Sequence, residues 1–149
     1  MNGTFCEQPP LALIKSIEMS GCYVVDDDFM LVGRWLLDDV PADGSPLEEL
    51  SKAFLHRSAT TAAKYDERRE QKGQFLLKQV KNFGAEGVVF AAPSFCDPAL
   101  LERPMLQDVL SQHKIPHTAF KYAENTGQMA PIREQAGTFA DSIKLWSAA

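Results

Sequence analysis

Cys96 is the residue in this chain whose type and setting most suggest chemistry. It lies in Phe95-Cys96-Asp97-Pro98, after the all-apolar run Gly87-Val88-Val89-Phe90-Ala91-Ala92. Asp97-Pro98 reads as a helix N-cap followed by the first helical position, so Cys96 leaves a buried strand just before a helix. A helix amino end carries roughly half a positive charge. It favours a thiolate, as a nucleophile or as a ligand of an anionic cluster. The plain structural alternative is an inert core cysteine, since cysteine is among the most buried residue types. Cys6 has Glu7 beside it, and an adjacent carboxylate disfavours a thiolate. Cys22 opens a β-prone run and reads as core. Three cysteines without a C-x-x-C pair write no self-contained zinc or thioredoxin-type site and no disulfide framework. They point to a reducing, cytoplasmic setting.

The remaining polar groups are less specific. Asp26-Asp27-Asp28 could hold Mg²⁺ or accept protons. Successive side chains of extended backbone alternate in direction, however, so a solvated acidic turn that caps the next helix is the simpler expectation. His56, His113 and His117 show no metal-ligand spacing. Residues 26–49 carry eight acidic side chains against Arg34 alone, and residues 52–81 carry eight Lys or Arg against three acidic. The basic stretch could meet phosphates, but a solvated helix face is the default. Neither glycine-rich phosphate-loop pattern is present.

Elements must position these groups. Pro9-Pro10 opens a helix with Leu11, Leu13, Ile14 and Ile17, and Gly21 ends it. Cys22-Tyr23-Val24-Val25 predicts a strand. Phe29 to Leu37 predicts a short helix or turn, and Asp38 to Ser45 a loop. Ser45-Pro46 starts a helix with Glu48 and Glu49 in its first turn and a buried stripe of Leu47, Leu50 and Phe54. Thr60 to Lys64 is a linker. A longer helix is expected from Asp66 to Phe83, with Leu76, Val80 and Phe83 on one face and Gly84 capping it. The Val88 run lacks polar residues, the mark of a strand buried on both faces in a parallel sheet. A helix carrying Leu106, Val109, Leu110 and His113 follows, with a possible break at Pro104. Then come a strand from His117 to Tyr122 and a loop at Asn125-Thr126-Gly127. The last helix carries Met129, Ile132, Ala136, Phe139, Ile143 and Trp146 at three-then-four spacing.

Strands alternating with helices imply an α/β fold: an open parallel sheet with helices on both faces, a Rossmann- or flavodoxin-like three-layer sandwich. In such sheets ligands collect beyond the carboxyl ends of the strands. Those places are Asn2 to Glu7, Asp26 to Asp28, Pro93 to Asp97, and Glu124 to Gln128. The 149 residues fit one α/β domain. A net charge of −5 and a pI near 5.2 argue against a nucleic-acid partner. No apolar run approaches the ~18 residues of a membrane span, and the first residues lack the regions of a signal peptide. Asn2-Gly3-Thr4-Phe5 reads as a loop leaving a strand with no strand before it, so the chain is expected to be truncated at its amino end.

Four ordered blocks carry a family resemblance. One runs from Asn2-Gly3-Thr4 through Ile17-Glu18-Met19-Ser20-Gly21 and Val24-Val25-Asp26-Asp27 to Gly33-Arg34. Tyr65-Asp66-Glu67-Arg68-Arg69 is the second. Gly87-Val88-Val89-Phe90 leading to Phe95-Cys96-Asp97-Pro98 is the third and sharpest. The fourth is Ile115-Pro116, Glu124, Gly127-Gln128, Ile132-Arg133-Glu134 and Phe139. Together they resemble the C-terminal domain of the benzoyl-CoA reductase / 2-hydroxyacyl-CoA dehydratase subunit family, over almost the whole chain. The segments Tyr122 to Gln128 and Arg133 to Phe139 are closer to the reductase branch.

The resemblance implies a longer two-domain subunit with a 4Fe–4S cluster held between its domains by three cysteines. Cys96 matches one of them. The other two belong to the preceding domain, so this chain alone is expected to hold no stable cluster and to be inactive. The implied partners are that domain, a homologous cluster-bearing subunit, an ATP-dependent electron-activating protein and an acyl-CoA substrate. The implied chemistry is electron delivery to a poorly reducible thioester. Asn2, Thr4, Arg34, Glu124, Asn125 and Gln128 are the expected lining of the acyl-CoA cleft, against a plain reading as loop caps and turns. Apolar surface is expected around Asn2, Cys96 and Asn125, where the other domain would sit. A dehydratase subunit is the nearest alternative. A cysteine-dependent hydrolase or transferase, which needs a histidine near Cys96, and a non-catalytic binding module are the others.

Overall fold

A computed structural model describes residues 1–3, 9–28, 35–58, 73–123 and 129–147, the side chains of 146 and 147 excepted. In chain order the elements are α1 (Leu11–Glu18), α2 (Pro46–Arg57), α3 (Gln74–Asn82), β1 (Val88–Pro93), α4 (Asp97–Gln112), β2 (His117–Tyr122) and α5 (Met129–Ser147). Five helices and a two-strand parallel sheet thus make a mixed helix–strand fold among the described residues.

β1 is the centre, and all six of its residues are buried. It pairs in parallel with β2, from Val88 opposite His117 to Pro93 opposite Tyr122. Side chains alternate across a strand, and each face of β1 has its own cluster. Val89 and Ala91, with Phe120 and Tyr122 of β2, pack on Leu13 and Ile17 of α1 and on Ile132, Ala136 and Phe139 of α5. Val88 and Phe90 pack on Leu106 and Leu110 of α4, with Leu76, Leu77 and Val80 of α3 against them. The wholly apolar composition of β1 follows from having helices on both sides.

Met1–Gly3 lies along the other edge of β1. Asn2 forms a parallel bridge to Phe90, donating its N–H to the Val89 carbonyl and accepting from the Ala91 N–H, both at 2.9 Å. Gly3 has φ +123°, and a Cβ there would stand 3.0 Å from the Ala91 carbonyl oxygen. Glycine is needed for both reasons.

Several sequence expectations change. Cys22 to Val25 carries no strand, and Tyr23 is 88% exposed. The expected place of Tyr23–Val25 in the sheet is therefore corrected: β-prone side chains do not make a strand without a paired neighbour. α2 begins at Pro46 after Ser45 as expected. Its apolar stripe is not buried, however: Leu47 is 77% exposed, Leu50 and Phe54 are exposed too, and only Ala53 is buried. Phe54 meets Trp35 edge-on at 5.8 Å between ring centroids. Phe83 is exposed as well. α4 runs through Pro104 unbroken, and its N-cap is Cys96, one residue before the expected Asp97. The helix expected without a break from Asp66 to Phe83 is corrected: α3 starts at Gln74, with Gly73 at φ +96° as its N-cap. Residues 29–34 of the short helix or turn expected over Phe29 to Leu37, the linker at 60–64, residues 66–72, the loop at 125–127 and the Trp146 side chain lie outside the described residues.

Candidate functional site

The carboxyl end of β1 and the amino end of α4 form the candidate site. β1 ends at Pro93, and a tight turn at Ser94–Phe95 leads to Cys96. The Cys96 N–H donates to the Pro93 carbonyl at 3.0 Å, and the Ser94 N–H donates to the Tyr122 carbonyl at 2.8 Å. The Ser94 hydroxyl reaches that same carbonyl at 3.0 Å, so the turn is tied to the end of β2. The Leu100 N–H then donates to the Cys96 carbonyl at 3.0 Å, the first bond of the helix. Cys96 therefore stands at a sheet edge and a helix amino end, as the sequence indicates.

Its side chain is more enclosed than expected. Cys96 is 1% exposed and packs on Ala92 and Ala99, with Leu100 against them. The expectation of exposed surface at Cys96 itself is corrected: the two small neighbours Ala92 and Ala99 leave room for the side chain to fold inward beneath the turn. Phe95 projects outward instead, 94% exposed, and Leu101 and Met105, four apart on one face of α4, are exposed too. Apolar surface thus lies at this edge, on the residues flanking Cys96 rather than on Cys96 itself.

The second described site residue, Asn2, is half-buried at the edge of β1. Its side-chain amide donates to the Asp28 carboxylate at 2.8 Å, and the Gly3 N–H donates to the same carboxylate at 3.1 Å. The acidic triplet is thus divided. Asp28 clamps the Asn2–Gly3 backbone, and Asp26 accepts from the Gln79 amide at 3.4 Å. The sequence singles out Asp28 only as part of the acidic triplet; its contacts to Gly3 and Asn2 are not legible there, because those partners lie 25 and 26 positions away. Thr4, Arg34, Glu124, Asn125 and Gln128, with Cys6, lie outside the described residues.

The donor set meets the implied iron–sulfur cluster in part. Cys96 has the position and donor type of one ligand. No group of three or more His, Cys, Asp or Glu side chains that could hold a metal ion occurs among the described residues. Cys22 packs against the separate α1–α5 cluster, its sulfur 3.9 Å from the Ala136 carbonyl. Burial pushes its thiol up from the ordinary value, and Lys144 opposes this. The histidines also bear on the cysteine-nucleophile alternative. His117 opens β2 opposite Val88, roughly 16 Å along the strands from Pro93 at ~3.3 Å per residue. His113 closes α4 at its far end. Neither can serve Cys96 as a base.

A cavity of about 350 Å³ lies at the opposite, amino end of β1, between residues 22–26 and Gly87–Val89. It is remote from Cys96. No helix among the described residues is long and apolar enough to cross a membrane.

Comparison with known proteins shows the family. The chain is 69% identical over 147 residues to a benzoyl-CoA reductase subunit of Thauera aromatica, covering 99% of this chain and 38% of that protein. It is 28% identical over 131 residues to the (R)-phenyllactyl-CoA dehydratase beta subunit of Clostridium sporogenes, covering 88% and 34%. It is 25% identical over 134 residues to the (R)-2-hydroxyglutaryl-CoA dehydratase beta subunit of Acidaminococcus fermentans, covering 88% and 35%. The chain thus spans little more than a third of the length of these relatives. The family model described as 2-hydroxyglutaryl-CoA dehydratase, D-component, matches residues 1–143, and the chain belongs to that family.

Proposed function

We propose that this chain is the C-terminal domain of an iron–sulfur subunit of a benzoyl-CoA reductase. Identity of 69% to a benzoyl-CoA reductase subunit, over nearly the whole chain, carries the reading. The two dehydratase subunits are far more distant, at 28% and 25%, which sets the dehydratase second. On this reading the two-faced core around β1 is the middle of a three-layer α/β sandwich. The working enzyme adds a preceding domain, a homologous cluster-bearing subunit and an ATP-dependent electron-activating protein, in the cytoplasm.

The proposed role of Cys96 is to give one thiolate to a 4Fe–4S cluster shared with the preceding domain. When bound, that cluster supplies one-electron transfer toward an acyl-CoA thioester. The α4 amino end offsets negative charge at the thiolate, and the bonds from Ser94 to Tyr122 anchor the turn that carries it. Because Cys96 points inward, the Ser94–Phe95 turn must rotate to present the sulfur. Phe95 is free to be covered by the opposing domain and to exclude water there. Asn2, Thr4, Arg34, Glu124, Asn125 and Gln128 are the proposed lining of the acyl-CoA cleft. Asp28, by holding Asn2 and Gly3, positions one wall of it.

Iron analysis and EPR on the complete subunit test the proposal. Cys96→Ala should deplete the cluster and stop electron transfer, whereas Cys22→Ala and Cys6→Ala should leave iron content and spectrum intact. Normal iron and activity in Cys96→Ala would overturn it. Substrate assays with an aromatic acyl-CoA and a 2-hydroxyacyl-CoA separate the reductase from the dehydratase.

A further inference from the structure

β2 and α4 bring two cations to the Cys96 edge of the sheet. Paired residues of a parallel ladder share a face. Lys121, opposite Ala92, therefore stands on the face where Ala92 packs with Cys96 and Ala99. Arg103 follows Cys96 by seven residues. At ~3.6 residues per turn this is about two turns, and so the same face of α4. Helical side chains lean toward the amino end, which carries Arg103 back toward Cys96 and Lys121. The two flanks of α4 differ. On one, Val109 abuts Gly73 at the start of α3, so closely that a Cβ on Gly73 would stand 2.9 Å from it. Arg103 lies roughly 120° around the helix from Val109. That places it on the other flank, over β2, whose Ala119 packs against the cluster of Leu106 and Leu110.

Neither cation is neutralised. Arg103 is half-buried, and its Nε is shut off from solvent with no hydrogen-bond partner among the described residues. Lys121 is exposed. No ion pair to either side chain occurs among the described residues. A buried donor without an acceptor is uncommon and destabilising, and two cations on one face repel each other. One bound anion relieves both. The chain as a whole carries a net charge of −5, so this positive face does not follow from a basic composition. Nor is another strand the missing group. The Ala119 carbonyl on the outer edge of β2 already accepts from the Gln135 side-chain amide at 3.0 Å, and the Thr118 hydroxyl meets the same amide at 3.1 Å.

We propose that Arg103 and Lys121 form a binding site for a phosphate-type oxyanion, on the flank of α4 beside β2 and next to Cys96. The guanidinium offers its Nε–H and a terminal N–H as a fork that fits two oxygens of one phosphate. The ammonium is a point charge that answers the second negative charge. A carboxylate carries one charge and matches two cations less well. The fork is held by α4 and the point charge by β2, so the bound phosphate ties the two elements together. On the function proposed above, the phosphates of coenzyme A are one source and a free nucleotide is the other. The site itself does not rest on that reading.

Titration of this 149-residue chain with pyrophosphate, coenzyme A and ATP tests the proposal, followed by calorimetry and by NMR of the arginine Nε–Hε groups. Pyrophosphate should shift the Arg103 Nε–Hε signal in a saturable way, and chloride at equal ionic strength should not. Arg103→Gln should weaken binding at least about tenfold, as loss of a charge-assisted hydrogen bond implies. Lys121→Gln should weaken it severalfold, the smaller share of an exposed charge. Arg103→Lys keeps the charge without the fork and should recover only part of the loss; full recovery would reduce the site to a diffuse positive surface and overturn it. Tighter binding of coenzyme A than of ATP assigns the phosphate to the substrate of the proposed function, and the reverse order assigns it to a nucleotide; both outcomes support the site. No saturable shift with any of the three probes would overturn it, as would equal affinity in the wild type and both glutamine variants. That failure would leave Cys96 as a cluster ligand untouched, since iron content tests that role separately. If Arg103→Gln does not fold, Lys121→Gln and the wild-type Arg103 signal decide.

Discussion

The Asn2 side chain and the Asp28 carboxylate are joined at 2.8 Å across 26 residues of sequence. The same carboxylate accepts the Gly3 N–H, so one aspartate fixes the backbone at the edge of β1. A charged acceptor with two donors contributes more than a neutral hydrogen bond. Asp28→Ala should lower unfolding free energy by about 1.5–3 kcal/mol, read as a fall in the urea midpoint without a change in slope. A shift too small to measure would mean that water replaces the carboxylate at no cost. Asp28→Asn keeps one acceptor for Gly3 and should recover part of the loss.

Two glycines separate conformational strain from crowding. Gly84 has φ +60°, and a methyl added there would meet nothing within 4 Å, whereas Gly3 has φ +123° and the Ala91 carbonyl oxygen at 3.0 Å. Gly84→Ala should cost about 1 kcal/mol, the left-handed backbone penalty alone. Gly3→Ala adds a clash with a backbone atom that cannot swing aside, and should cost about 2–3 kcal/mol. It should also speed exchange of the Ala91 amide, which bonds to Asn2. Equal losses at both sites would show that the approach to Ala91 relaxes freely.

Stability should rise and then fall with pH, for two identifiable reasons. Burial holds the Met1 ammonium below its ordinary 8.0, against the opposing pull of Asp28, Asp26 and Asp27. Between that lowered value and 8.0 the unfolded chain binds more protons, so stability increases with pH through this window. Burial raises the Cys22 thiol above its ordinary 9.0. From 9.0 upward the native chain binds more protons, and stability declines toward the raised value. Urea titrations across both windows check this. Acetylating the amino terminus should flatten the rise, and Cys22→Ala should remove the decline.

Much of the fold is legible because its signals are local. The apolar Val88 run, the His117 to Tyr122 strand and the three-then-four spacing after Met129 all appear as read. Gly21 and Gly84 close their helices with positive φ. The misses are cases where a pattern names a face but not what covers it. Leu47, Leu50 and Phe54 have helical spacing, yet spacing cannot supply the surface that would bury them. Tyr23 to Val25 has strand composition, yet a strand requires a partner backbone. At the candidate site, the helix start at Cys96 was legible from Asp97-Pro98 to within one residue. Asp28 was not, since no local pattern encodes a contact to Asn2.

The orientation of Cys96 makes the last prediction. In this chain its sulfur is enclosed by Ala92, Ala99 and Leu100, and the exposed neighbour is Phe95. Alkylation therefore has to wait for the Ser94–Phe95 turn to open. Followed by mass spectrometry, Cys96 should react at least about a hundredfold more slowly in buffer than in urea, in keeping with a local opening of a few kcal/mol. Phe95→Ala leaves the turn's bonds in place and should change that rate little. Ser94→Ala removes the hydroxyl bond to the Tyr122 carbonyl and should speed it severalfold. Labelling of Cys96 as fast in buffer as in urea would show that the turn already stands open. The inward packing would then impose no barrier to presenting the sulfur to a metal.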